Sequence, residues 1–191
     1  MAETALPLSR RMVLAEIEAA HVRLMPPRAR FSLRVTLSVL AQTPEVAGFT
    51  LDLAVNRCRS AGERTAMRLG PDEWLLSGPE AETMQIARDI EAALAGVHHA
   101  LVDVSDARVV LSVSGPGAAD VINAGCPLDL SSRAFPAASA TRTLLGKVEI
   151  ILARPGEAPA FEIACARSLA IYVRDFLLEA ARPMPVDDDA S

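Results

Sequence analysis

The chain has 191 residues, a net charge of −5, 51% apolar residues and only 4% aromatics, which suits one large or two small domains with an aliphatic core. The acidic balance and dispersed basic residues exclude a general nucleic-acid binder. No run of 18 uncharged apolar residues occurs, so a transmembrane helix is not expected. The first twelve residues lack the basic start and apolar centre of a signal peptide, and a cytoplasmic protein is expected.

Residues 1–29 read as a partly ordered leader, with a short helix over Met12–Ala20 that Pro26 and Pro27 would end. Phe31, Leu33, Val35 and Leu37 alternate with Ser32, Arg34, Thr36 and Ser38, the period of a half-buried strand. Phe49, Leu51 and Leu53 alternate again after a loop at Thr43–Gly48, while the polar stretch Asn56–Arg64 reads as loop. Two apolar runs, Thr65–Leu69 and Trp74–Ser77, flank Gly70–Glu73 and predict a hairpin. Pro79 opens a helix with Met84, Ala87, Ile90 and Leu94 as its apolar face, and Gly96 stops it.

The stretch Leu101–Leu130 carries the most structural information. A polar corner at Ser105 and Asp106 precedes a strand over Val109–Val113. Ser114–Gly117 breaks that strand, Ala118–Ala124 forms a short helix, and Gly125 is expected as its left-handed stop. Ser131–Ser139 is a loop. Thr141–Leu145 and Val148–Leu152 form a hairpin at Gly146 and Lys147, and Phe161, Ile163 and Cys165 mark another strand. Leu169, Tyr172, Val173, Phe176 and Leu177 lie at helical spacing. The order predicts an α+β fold of antiparallel or mixed sheets with helices packed on them. The expected units are a first α+β subdomain, 30–96, a second, 97–182, and a disordered acidic tail, 183–191.

Catalytic signatures are scarce. Cys58, Cys126 and Cys165 are far apart with no C-x-x-C, and His21, His98 and His99 are the only histidines, so neither zinc nor a disulfide is expected. Gly115-Pro116-Gly117 fails as a dinucleotide fingerprint, because Asp120 stands at the third glycine position and Pro116 lacks an N–H for phosphate. The acid pairs Asp72–Glu73 and Asp103–Asp106 sit at turns and read as structural, and Arg57, Arg59, Arg64 and Arg68 as a solvated face. Trp74 is read evenly as core or as an interface anchor.

Several phrases recur in a recognisable order: Leu69–Leu76, Asp103–Asp106, Val113–Pro116, Gly125–Leu130, Arg133–Pro136 and Thr143–Gly146. With them, Arg30–Arg182 resembles the gamma subunit of heterotetrameric sarcosine oxidase, a family related to the folate-binding aminomethyltransferases. The resemblance implies a two-part, aminomethyltransferase-like fold. It also implies a non-catalytic subunit of an oxidoreductase that demethylates sarcosine, with no catalytic, cofactor or metal residue of its own. The implied partners are the alpha, beta and delta subunits, of which alpha and beta would carry FAD, FMN, NAD and tetrahydrofolate. Trp74, Cys126, Pro127 and Phe135 are the expected partner contacts. The alternative is a stand-alone folate-binding or one-carbon-transfer protein, for which Asp103 is the candidate pterin carboxylate.

Overall fold

The structure is a computed structural model that describes residues 16–17, 20–36 and 44–182. The strands are β1 (Glu16–Ile17), β2 (Ala20–Leu24), β3 (Ala29–Val35), β4 (Glu45–Val46), β5 (Phe49–Thr50), β6 (Arg57–Ala61), β7 (Arg64–Arg68) and β8 (Glu73–Gly78). They continue with β9 (His99–Asp103), β10 (Arg108–Ser114), β11 (Ser139–Leu145), β12 (Val148–Arg154) and β13 (Ala160–Ala166). The helices are α1 (Thr83–Ala93), α2 (Ala118–Asn123) and α3 (Ala170–Ala180).

Among the described residues, eleven strands form one sheet in the order β1-β2-β10-β13-β12-β11-β6-β7-β8-β3-β9, and β4-β5 is a separate hairpin. Every pairing is antiparallel. In mid-sheet, β6 and β11 share one register pair, Arg57 with Ser139. That thin join divides the sheet into two arms. The chain crosses between them: β2 pairs with β10 in one arm, and β3 pairs with β8 and β9 in the other.

Strand side chains alternate between faces, and the cores follow that period. In the first arm Phe31, Leu33, Trp74 and Leu76 point outward and pack with Ile86, Ile90 and Leu94 of the α1 region. In the second arm Leu111, Val113, Ile150, Leu152, Phe161 and Ile163 pack with Val121 and Ile122 of α2 and Val173 and Leu177 of α3. The intervening residues Leu75, Val110, Ile151 and Ala164 pack together across the arms. The two inner faces therefore meet, and each arm is covered outside by helix.

The structure corrects the sequence reading of the elements in five places. Over Met12–Ala20, the described residues 16–17 and 20 lie in strands rather than a helix. Asn56–Arg64 contains β6, which pairs with β7 from Arg57–Arg68 to Ala61–Arg64, around Gly62 at φ +58°. Only Cys58 of β6 is buried, so the strand carries almost no apolar alternation. Met84 is 73% exposed, and Ile86 takes its place beside the expected Ile90 on the buried face of α1. Leu169 and Tyr172 are exposed at 40% and 45%, because α3 turns Ala170, Val173 and Leu177 inward. Gly125 is not left-handed. A methyl group there would overlap the Phe176 ring, so glycine serves close packing. Expectations for 1–11, Leu37–Ser38 and 183–191 lie outside the described residues.

Candidate functional site

The inner faces carry the polar chemistry of the molecule. On β3 the alternation that sends Phe31 and Leu33 outward turns Arg30 and Arg34 inward. On β8 it places Glu73, Leu75 and Ser77 opposite Trp74 and Leu76, and on β13 it turns Glu162 and Ala164 inward.

One inner cluster ties the arms together. Arg142 of β11 grips the Glu73 carboxylate of β8 with two hydrogen bonds: Nη1 donates to Oε2 at 2.9 Å and Nη2 to Oε1. Arg34 Nη2 donates to the same Oε2 at 3.2 Å, while Arg34 Nη1 lies 3.7 Å from Asp72. The Arg142 hydrogen bonds hold the Glu73 carboxyl below the usual glutamate range despite its burial.

A second group lines a cavity of about 270 Å³ between the arms, walled by Met67, Leu75, Val110 and Ile151 and bearing Arg30 and Glu162. Met25, Arg28, Arg30 and Val110 also border an adjoining hollow of about 80 Å³. Arg30 is only 6% exposed. Its backbone is fixed: the N–H donates to Ser105 Oγ at 2.9 Å, and its carbonyl accepts from Val104 N–H at 2.8 Å. Its guanidinium makes one long contact among the described residues, Nη1 to the Arg28 carbonyl at 3.5 Å. Burial, reinforced by the like charge of Arg28, lowers the Arg30 pKa. Arg28 itself is committed, with Nε donating to Ser77 Oγ at 3.1 Å and Nη2 to the Glu63 carbonyl. Burial pushes the Glu162 carboxyl up, against the pull of Arg28 and Arg30.

Other candidates are structural. Ser105 N–H and Oγ donate to Asp103 Oδ1 at 2.9 and 2.6 Å, and Arg167 pairs with Asp106 at 2.8 Å, so both acids brace the corner that borders the smaller hollow. In the basic cluster Arg57 donates to Ser139 Oγ and the Ala137 carbonyl at 3.0 Å each. Arg68 donates to the Leu53 and Pro71 carbonyls at 2.6 and 2.7 Å, and Arg64 pairs with Glu82 at 2.9 Å. These arginines fasten loops. Only Arg59 fits the solvated reading simply, being exposed. His99 bridges the Val97 carbonyl at 2.8 Å and Glu91 at 3.1 Å. Burial pushes the Cys58 and Cys165 thiols up to about 11. No group of three potential metal ligands occurs among the described residues.

The expected partner contacts do not form one surface. Trp74 is 0% exposed, its Nε1 donates to the Leu51 carbonyl at 3.0 Å, and the Arg68 guanidinium lies 5.1 Å from its ring centre. It is core, which corrects the interface reading. Cys126 and Phe135 are likewise buried in the second core, with the Phe135 ring stacked on Phe161 at 6.5 Å. Pro127 alone of the four is exposed. Sequence reasoning missed Arg30 and Glu162. Their signals were an arginine opening an alternating strand and a glutamate within the apolar run Phe161–Cys165.

Comparison with known proteins places this arrangement. The model of the sarcosine oxidase gamma subunit family matches residues 38–182. The chain belongs to that family. A sarcosine oxidase subunit gamma from Arthrobacter is 40% identical over 111 residues, 58% of this chain and 54% of that one. One from Corynebacterium sp. strain P-1 is 37% identical over 118 residues, 61% and 57% of the two chains. The matched stretch thus spans little more than half the length of these relatives. A chain of the heterotetrameric sarcosine oxidase from Corynebacterium sp. U-96, solved in complex with pyrrole 2-carboxylate, superposes with a TM-score of 0.77 at 27% identity. That match covers 93% of this chain and 91% of the other. The glycine cleavage aminomethyltransferase T of Bartonella henselae shares the fold, with a TM-score of 0.62 at 16% identity over 83% of this chain and 45% of its own.

Proposed function

We propose that this chain is the gamma subunit of a heterotetrameric sarcosine oxidase, assembled with alpha, beta and delta subunits, of which alpha and beta carry FAD, FMN, NAD and tetrahydrofolate. The complex oxidises the N-methyl group of sarcosine and leaves glycine. The methyl carbon departs as formaldehyde or as 5,10-methylenetetrahydrofolate, and oxygen accepts the electrons to become hydrogen peroxide. The role of this chain is assembly rather than chemistry at the flavins. The observation that carries the reading is the superposition, over nearly the whole of both chains, on a chain of a heterotetrameric sarcosine oxidase. Exposed Leu144, Ile171 and Tyr172 on β11 and α3 supply apolar surface for a neighbouring subunit.

The test is capture of the tagged full chain from the cells that make it, at low salt. The expected eluate is yellow, holds stoichiometric flavin-bearing partners, and releases peroxide when given sarcosine. A colourless lone chain would overturn the subunit reading. A thermal shift of that lone chain with tetrahydrofolate would then support the stand-alone folate protein.

A further inference from the structure

We propose that the cleft between the two arms binds a small amino acid in its zwitterionic form, carboxylate on the Arg30 guanidinium and ammonium on the Glu162 carboxylate. This inference does not depend on the subunit reading.

An arginine side chain offers five N–H donors and an ionised carboxylate accepts on both oxygens. In most folded proteins buried groups of this kind find partners within the chain, because leaving them unmade is costly. Here they do not. Arg30 is nine-tenths buried, yet its guanidinium makes only the long contact to the Arg28 carbonyl among the described residues. The Glu162 carboxylate accepts no hydrogen bond there, and no ion pair joins it to Arg30 or Arg28, although the charges sense one another. Arg28 is occupied by Ser77 and the Glu63 carbonyl and does not supply the missing partner. Both groups line the same cavity of about 270 Å³.

The chemistry of the walls selects the ligand. A guanidinium fork matches a carboxylate with two parallel hydrogen bonds. A dianion such as phosphate would meet the Glu162 carboxylate in the same space. A lone cation would meet Arg30 and Arg28. A molecule carrying both charges on one short backbone satisfies both walls and adds no net charge to the cleft. Met67, Leu75, Val110 and Ile151 leave an apolar surface for a small side chain or N-substituent. An ammonium beside Glu162 would also draw its carboxyl back toward the charged form that burial disfavours.

The experiment is ligand-observed saturation-transfer NMR on the full chain at pH 7, titrating glycine, L-alanine, acetate and methylammonium separately. Glycine or alanine is expected to bind, with acetate and methylammonium at least tenfold weaker. Arg30→Gln and Glu162→Gln should each weaken the zwitterion at least tenfold while the far-ultraviolet spectrum is unchanged. Ala164→Leu, which fills the cleft without touching either charge, should abolish binding, and it decides the matter if an Arg30 variant fails to fold. The proposal is overturned if neither amino acid binds at millimolar concentration, if acetate binds as tightly as alanine, or if affinity survives Ala164→Leu.

Discussion

Two glutamates on the inner faces meet arginines in opposite ways. Glu73 receives both donors of Arg142 and one of Arg34, and its pKa is lowered. Glu162 lies near Arg28 and Arg30 without a hydrogen bond from either, and its pKa is raised. Both sit at inward strand positions, Glu162 between the outward Phe161 and Ile163, and Glu73 at the start of β8 beside the outward Trp74. The difference is geometry. At Glu73 the partner comes from β11 across the join between the arms, where fork meets carboxylate head on. At Glu162 the Arg28 guanidinium is held by Ser77 and the Glu63 carbonyl, and that of Arg30 reaches the Arg28 carbonyl at 3.5 Å. The first arrangement is a clasp, and the second is a pair of unmet requirements.

The outer core sets the scale for testing that contrast. Trp74→Ala removes the largest fully buried side chain and should cost about 3–5 kcal/mol, read from the midpoint of urea unfolding. Glu73→Gln comes next. It removes a charged acceptor from two arginines, and a loss of about 1.5–3 kcal/mol at pH 7 is expected. Its pH dependence is signed. A carboxyl with a lowered folded-state pKa stabilises fully above its unfolded value and loses that contribution as pH falls through the folded value. The gap between wild type and Glu73→Gln should therefore close below the ordinary glutamate range, and a gap that widens in acid would break the clasp. A double-mutant cycle of Glu73→Gln with Arg142→Gln should show coupling of about 1–3 kcal/mol. The smallest effect belongs to Arg34→Gln. Its side chain is more than half exposed, so a change of about 0.5 kcal/mol or less is expected in the same unfolding assay.

The sequence made the outer faces legible and hid the inner ones. Phe31, Leu33 and Val35 announce β3 by their period, and Phe161, Ile163 and Cys165 announce β13. The polar members of such a pattern are normally read as facing water. In this fold they face the other arm, so Arg30 is nearly as buried as Phe31. Nothing local distinguishes a strand whose polar side meets solvent from one whose polar side meets a second sheet face. The same limit explains Trp74, whose placement depends on Leu51 and Arg68 reaching it from other elements. Strand β6 escaped because its pairing with β7, not its own composition, makes it a strand. Helix faces were half legible: spacing found α1 and α3, but the 3₁₀ turns Glu80–Glu82 and Arg167–Leu169 that lead into them leave Met84 and Leu169 exposed. The family resemblance lay in turn and corner phrases, which carry register better than they carry a site.

The most direct test of the contrast is the unfolding free energy of Glu162→Gln against wild type across pH 4–8, without ligand. A carboxyl with a raised folded-state pKa contributes most below its unfolded value, and that contribution is lost as pH rises through the folded value. Removing its charge should therefore make the chain more stable at pH 7–8, with the advantage fading as pH falls into the carboxylate range. A loss of stability at pH 7, like that expected for Glu73→Gln, would make Glu162 a second clasp and contradict the reading of the cleft as a site held open for a ligand.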